Sequence, residues 1–153
     1  MRIYIPLAVT DLDADSISSR PVHAVTPQLR EYFPDEDQEG LEMVATLAAA
    51  DDSLRLMTID SQNHRRIVAV AEIVDKNIDA PSQGKDVLAT QRNLNEYVPW
   101  KKVEALLIDE PGAEELVVGA LSGDEDAFLA SGDIELMWYD VVERADVARM
   151  LRQ

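Results

Sequence analysis

A chain of 153 residues that is 46% hydrophobic and 29% charged has ordinary globular composition, which excludes fibrous and disordered classes and leads us to expect one domain over 1–153. Its 14 Lys and Arg face 30 Asp and Glu, a formal charge of −16. That field disfavours direct nucleic-acid and membrane binding and favours a basic protein partner. No cysteine is present, so disulfides, thiolate metal sites and cysteine nucleophiles are out.

The apolar run Ile3 to Val9 holds Tyr4 and Pro6 and leads into Asp11, Asp13 and Asp15, so it reads as a first strand over Met1 to Val9, not a signal peptide. With no run of roughly 18 apolar residues, the expected location is cytoplasmic. Thr10 to Ser19 suggests a short helix, and Val22 to Val25 a second strand. Thr26-Pro27 has the form of an N-cap followed by proline at the first helical position; Leu29, Tyr32 and Phe33 then share one face, expected to turn towards the core, and Pro34 stops the helix.

Asp35, Glu36 and Asp37 crowd the first turn of a longer helix, with Asp35 and Gln38 at capping-box spacing. Leu41, Val44, Leu47, Ala50, Leu54 and Met57 form its apolar stripe. Ile67 to Val74 is an unbroken apolar run, as in a strand covered on both faces. The pattern lapses into a loop from Asp75 to Gly84, with a possible strand from Val87 to Asn95. A helical turn at Pro99-Trp100 precedes a buried strand, Val103 to Ile108. Two short helices follow, one to about Leu121 and one over Asp126 to Ala130, then a strand from Ile134 to Val142 and a terminal helix. The order fits an α+β fold, a single mixed sheet of about five strands with helices packed mainly on one face; a three-layer α/β arrangement is the alternative.

No motif compels a chemistry. Alternating acids at Asp11, Asp13, Asp15 and at Asp35, Asp37, Glu39 suggest calcium loops, but a bidentate Glu is missing at the twelfth position, where Val22 and Thr46 stand. The run from Asp124 reaches Glu135 yet places Phe128 and Leu129 where a ligand and the turn glycine belong. His23 and His64 have no metal-ligand spacing, and an isolated histidine is more often a packing residue than a general base. Serines lack a nucleophile-elbow context and glycines never form a phosphate-binding array. No metal and no cofactor is therefore expected. The pairs Arg65-Arg66 and Lys101-Lys102 read as solvated charge. Trp138-Tyr139 reads as a core aromatic beside an edge aromatic, with Leu136, Trp138 and Asp140 on one face.

Several stretches in order along the chain, MRIYIPL, HAVTPQLREYFPDEDQEGLE, SLRLM and ELMWYD, resemble a family of uncharacterised actinobacterial proteins of about this length. The resemblance implies no substrate, cofactor or catalytic residue. The function reading is thus a non-enzymatic interaction or regulatory protein with an acidic surface. Its candidate binding surface is Thr26, Arg30, Tyr32, Asp35 and Asp37, where two helices meet at Pro34. The alternative is a small-molecule enzyme with a site near 23–42, using His23, Arg30, Tyr32 and the acids from Asp35. A weaker alternative is an acidic mimic of nucleic acid. Composition and pattern leave the oligomeric state open.

Overall fold

The computed structural model describes residues 1–81 and 87–153. Seven antiparallel strands form the main sheet, in the order β5 (Ile78–Asp79), β6 (Gln91–Leu94), β3 (Pro21–Ala24), β1 (Arg2–Leu7), β4 (Ile67–Glu72), β8 (Val103–Asp109) and β9 (Leu136–Asp140). A separate two-stranded ribbon joins β2 (Ser16–Ile17) to β7 (Val98–Pro99). The α+β expectation holds, but seven strands replace about five. Several of the strands are only two to four residues long, too short to leave a period-two signal. The antiparallel pairing also removes the α/β alternative, which is built on parallel strands. Of the loop expected over Asp75 to Gly84, the part from Ser82 to Gly84 lies outside the described residues; the rest contains a 3-10 turn and β5.

β3 and β4 flank β1 and are both antiparallel to it, so the connection between them must cross over β1. That crossover consists of α1 (Pro27–Tyr32) and α2 (Gln38–Arg55), and α2 accordingly packs on β1, β3 and β4. The buried stripe of α2 includes Leu41, Ala45, Ala49, Ala50 and Leu54, while Val44 and Leu47 are only half-buried. Four of the six expected stripe residues, Leu41, Ala50, Leu54 and Met57, are therefore buried; at the centre of the helix Ala45 and Ala49 take the place of Val44 and Leu47 against the sheet and let the helix lie close to Tyr4, Val68 and Val70.

The opposite face carries the larger core. Ile3, Ile5, Leu7, Ile67, Ala69, Leu106 and Ile108 pack there with Trp100 and with Val147, Ala148 and Leu151 of α5 (Arg144–Leu151). Helices thus stand on both faces, and β4 is buried on both sides as its unbroken apolar run implied. α3 (Glu114–Leu121) and α4 (Glu125–Ala130) pack with the C-terminal end of α2 through Leu54, Met57, Ala113, Val117 and Ile134. Thr10 to Ser19 holds a 3-10 turn and β2 in place of the expected helix.

Candidate functional site

The five residues expected to form a binding surface lie close in sequence but divide by burial. Thr26 is fully buried: its hydroxyl accepts from the Leu29 N–H at 3.0 Å and donates to the Ala89 carbonyl. It is a cap that ties α1 to the segment before β6, and it leaves the candidate surface. Asp37, not Asp35, is the N-cap of α2, accepting from the Gly40 N–H at 2.8 Å. Arg30 donates to the Gln38 side chain across the helix junction. Arg30, Asp35 and Asp37 are all exposed.

Tyr32 and Phe33 correct a second expectation. Only Leu29 of that set reaches the core; Tyr32 is 74% exposed and Phe33 40%. Their rings stand edge to face at 5.0 Å. With Leu29, Val44, Ala48 and Val87 to Thr90 they line a groove of about 340 Å³, and Leu88 across it is exposed as well. Helix α1 is too short to cover both aromatics: Pro34 ends it after six residues, before a second turn can return to the sheet.

Behind that groove runs a chain of polar side chains. His23, on β3, is 1% exposed. Its Nδ1 pairs with the Thr90 hydroxyl at 2.7 Å and its Nε2 with Asp52 Oδ2 at 2.6 Å, while Arg55 donates to Asp52 Oδ1 at 2.8 Å. Asp52 and Arg55 open onto a cleft of about 610 Å³, shared with Thr10, Ser18, Ser19 and Gln91. Arg20 forms one wall, holding Asp11 through two hydrogen bonds of 2.9 Å and bonding the Pro6 carbonyl at 3.0 Å. Neighbouring carboxyls on α2 are pushed in opposite directions. Burial raises Asp51 above the usual aspartate range, against the opposing field of Arg66. Asp52 meets the same burial, but the hydrogen bond and charge of His23, with Arg55, outweigh it and hold the group below that range.

The Arg65-Arg66 pair is not solvated. Both are buried; Arg66 bonds Asp109 with Nε and Nη2 at 2.9–3.0 Å, and its Nη2 also bonds the Ser131 carbonyl at 2.9 Å. Arg65 Nε bonds the Asp109 carbonyl at 2.8 Å. The sequence signal was positional: Arg66 immediately precedes β4 and Asp109 ends β8, so the register that pairs Ile67 with Ile108 brings the two charges together. His64 pairs with the Thr58 carbonyl at 3.0 Å in its loop. Among the described residues, no group of three or more His, Asp or Glu side chains gathers as a metal site, and no helix is long and apolar enough to cross a membrane.

A family model described as a family of unknown function (DUF6912) matches residues 1–148. No curated protein and no solved structure matches the chain.

Proposed function

We propose, for a chain that belongs to the family of unknown function DUF6912, that it is a non-catalytic interaction module which docks a basic protein partner at the junction of α1 and α2. The observation that carries this reading is the outward-facing pair Tyr32 and Phe33, set beside the exposed acids Asp35, Glu36 and Asp37. Large aromatics in water cost hydration free energy, and at interfaces they form the anchors that contribute most to affinity. A run of three carboxylates beside them selects a partner with Lys or Arg next to an apolar tip and speeds its approach. The −16 charge works in the same direction over the whole surface. A photo-crosslinking residue placed at position 32 tests the reading: it should join a discrete basic protein in cells, and the same residue at Thr10 should not. Equal labelling from both positions would overturn it.

The same reading places the protein in an actinobacterial cytoplasm. It is supported by the ordered resemblance of four stretches and by the use of Ile3, Ile5 and Leu7 as core residues of β1, which gives the N-terminal apolar run a structural role in the folded domain.

One observation favours a small-molecule enzyme instead. The linked Thr90, His23, Asp52 and Arg55 side chains reach the 610 Å³ cleft through Asp52 and Arg55, and a carboxylate backed by a buried imidazole is a component of acid–base sites. Both Asp52 oxygens are already engaged, by His23 and by Arg55, which suits a fixed structural link better than a free base. A thermal-shift screen of small metabolites separates the readings. A stabilising compound whose effect vanishes in Asp52→Asn would establish the cleft as a ligand site; failure of every compound leaves the docking reading standing.

A further inference from the structure

The sheet face under α2 is only partly covered. α2 packs on β1, β3 and β4, and β8 and β9 lie beyond it towards the edge of the sheet. In the space alongside α2, Val70, Leu107, Leu136 and Trp138 form a floor, and Met43 and Leu47 on the flank of α2 form a wall. The resulting groove holds about 500 Å³. Its floor is the continuation of the core: Leu107 and Leu136 pack against the cluster of Tyr4, Ala45, Ala49, Val68 and Val70. Trp138, level with Leu107 in the ladder, is 64% exposed, and Met43 is also exposed. Single exposed apolar residues are ordinary, but a contiguous set of this kind on a sheet face marks an interaction site.

We infer that this groove receives a basic amphipathic helix from a partner protein, which lies beside α2 and completes the helical layer over β8 and β9. Two strands at about 4.8 Å spacing present a strip roughly 10 Å wide, the diameter of one helix. The rim fixes the sign of the partner. Glu39, Glu42 and Glu135 border the groove, and its one basic residue, Arg2, is already bonded to Glu104 at 2.8 Å. A second copy of this chain would bring the same acids against themselves, with −16 on each molecule, and an anionic lipid surface is repelled for the same reason. A helix with leucines on one face and lysines on the other meets both the floor and the rim. These observations are separate from the Tyr32 and Phe33 surface, which lies on the opposite flank of α2 and uses Val44 and Ala48.

The test uses the full chain and a synthetic peptide of about 15 residues, a helix of roughly 22 Å, with Leu at i, i+3, i+4, i+7 and Lys elsewhere. A control peptide of the same composition has its leucines scattered around the helix. Amide and indole resonances are followed by NMR at physiological salt, where diffuse charge attraction is screened. Trp138 is distinguished from Trp100 by Trp138→Phe. Saturable shifts confined to the Trp138 indole and to the amides of Met43, Leu47, Leu107 and Leu136 are expected. Trp138→Ala with Met43→Ser should weaken binding at least tenfold at an unchanged melting temperature, since both side chains are exposed. Glu39→Gln with Glu135→Gln should weaken it more at low salt than at high. Tyr32→Ala should leave it unchanged, so loss of the Tyr32 surface and loss of this one are read separately. Shifts scattered over the acidic surface, equal binding of the control peptide, wild-type affinity in the Trp138 and Met43 variant, or a dimer that buries Trp138 without peptide would each overturn the inference.

Discussion

Nε2 of the buried His23 on β3 lies 2.6 Å from Oδ2 of Asp52 on α2, which ties the crossover helix to the strand from which the crossover departs. The next residue towards the N-terminus, Asp51, lies instead 3.8 Å from the Arg66 guanidinium, and burial dominates its titration. The two carboxyls should therefore give stability opposite dependences on pH. Asp52 has a folded pKa below its unfolded one, so the stability it adds is present above the unfolded pKa and lost as pH falls through the folded pKa. Asp51 has a folded pKa above its unfolded one; its favourable contribution is complete below the unfolded value and is lost as pH rises through the folded value. Asp52→Asn should lower the melting temperature at pH about 7 and Asp51→Asn should raise it; on acidification the Asp51 difference should close below the unfolded aspartate value of about 4, and the Asp52 difference only at lower pH, below its depressed folded pKa. Melting curves across that range check the signs, and a common sign for the two variants would contradict the account.

Arg66 and Asp109 form a fully buried ion pair with two-point geometry. Removing Asp109 leaves the buried Arg66 charged with only the longer contact to Asp51 at 3.8 Å and the Ser131 carbonyl, so Asp109→Ala should cost about 3–5 kcal/mol in urea unfolding. Replacing both, as Arg66→Met with Asp109→Leu, should cost less than Asp109→Ala alone. A double variant that is the less stable of the two would show that the pair itself, and not the orphaned charge, carries the energy.

The parts of the fold that could be read from sequence are those with an unambiguous local signal: β4 from its unbroken apolar run, α1 from Thr26-Pro27, α3 and α4 from their acids and breakers, and α5 from Val147, Met150 and Leu151. The misreadings share a cause. The stripe of α2 holds at Leu41, Ala50 and Leu54 but misses at Val44 and Leu47, where a crossover helix that must lie close to a sheet uses Ala45 and Ala49 instead. Tyr32 and Phe33 fit a helical stripe with Leu29, yet α1 has no second turn with which to bury them. His23 reads as an isolated histidine and Arg66 as solvated charge because their partners stand 29 and 43 residues away; tertiary packing and strand register create those pairs, and register is not a local property of the sequence.

Thr26 illustrates the division between structure and surface. It caps α1 and also bonds the half-buried Ala89 carbonyl, so Thr26→Ala should destabilise the domain by about 1–2 kcal/mol, through a lost cap that leaves the buried Leu29 N–H without its acceptor. Thr26→Ser keeps the hydroxyl and should recover most of that loss. Denaturant midpoints for the two variants decide it: equal losses would mean that the methyl group, not the hydrogen bonds, is what the site needs.

The docking surface between Arg30 and Asp37 calls for substitutions that change charge without touching a cap. Asp37 holds the Gly40 N–H at the start of α2, and alanine there would fray the helix by about 1 kcal/mol and confuse a lost partner with a loosened fold. Asparagine retains the accepting oxygen, so Asp37→Asn removes the charge alone. Arg30→Gln likewise keeps a donor for the Gln38 side chain. Tyr32→Ala removes an exposed ring and should shift the melting temperature by no more than a few degrees, because surface substitutions away from caps and cores stay within about 0.5 kcal/mol. If the surface binds a basic partner, Tyr32→Ala should raise the dissociation rate, while Asp37→Asn with Asp35→Asn should mainly slow association and flatten its salt dependence. Surface plasmon resonance on the crosslinked partner, at two salt concentrations, reads both rates. A partner that binds all of these variants with wild-type kinetics would place its contact elsewhere on the molecule and end the assignment of this junction as the docking site.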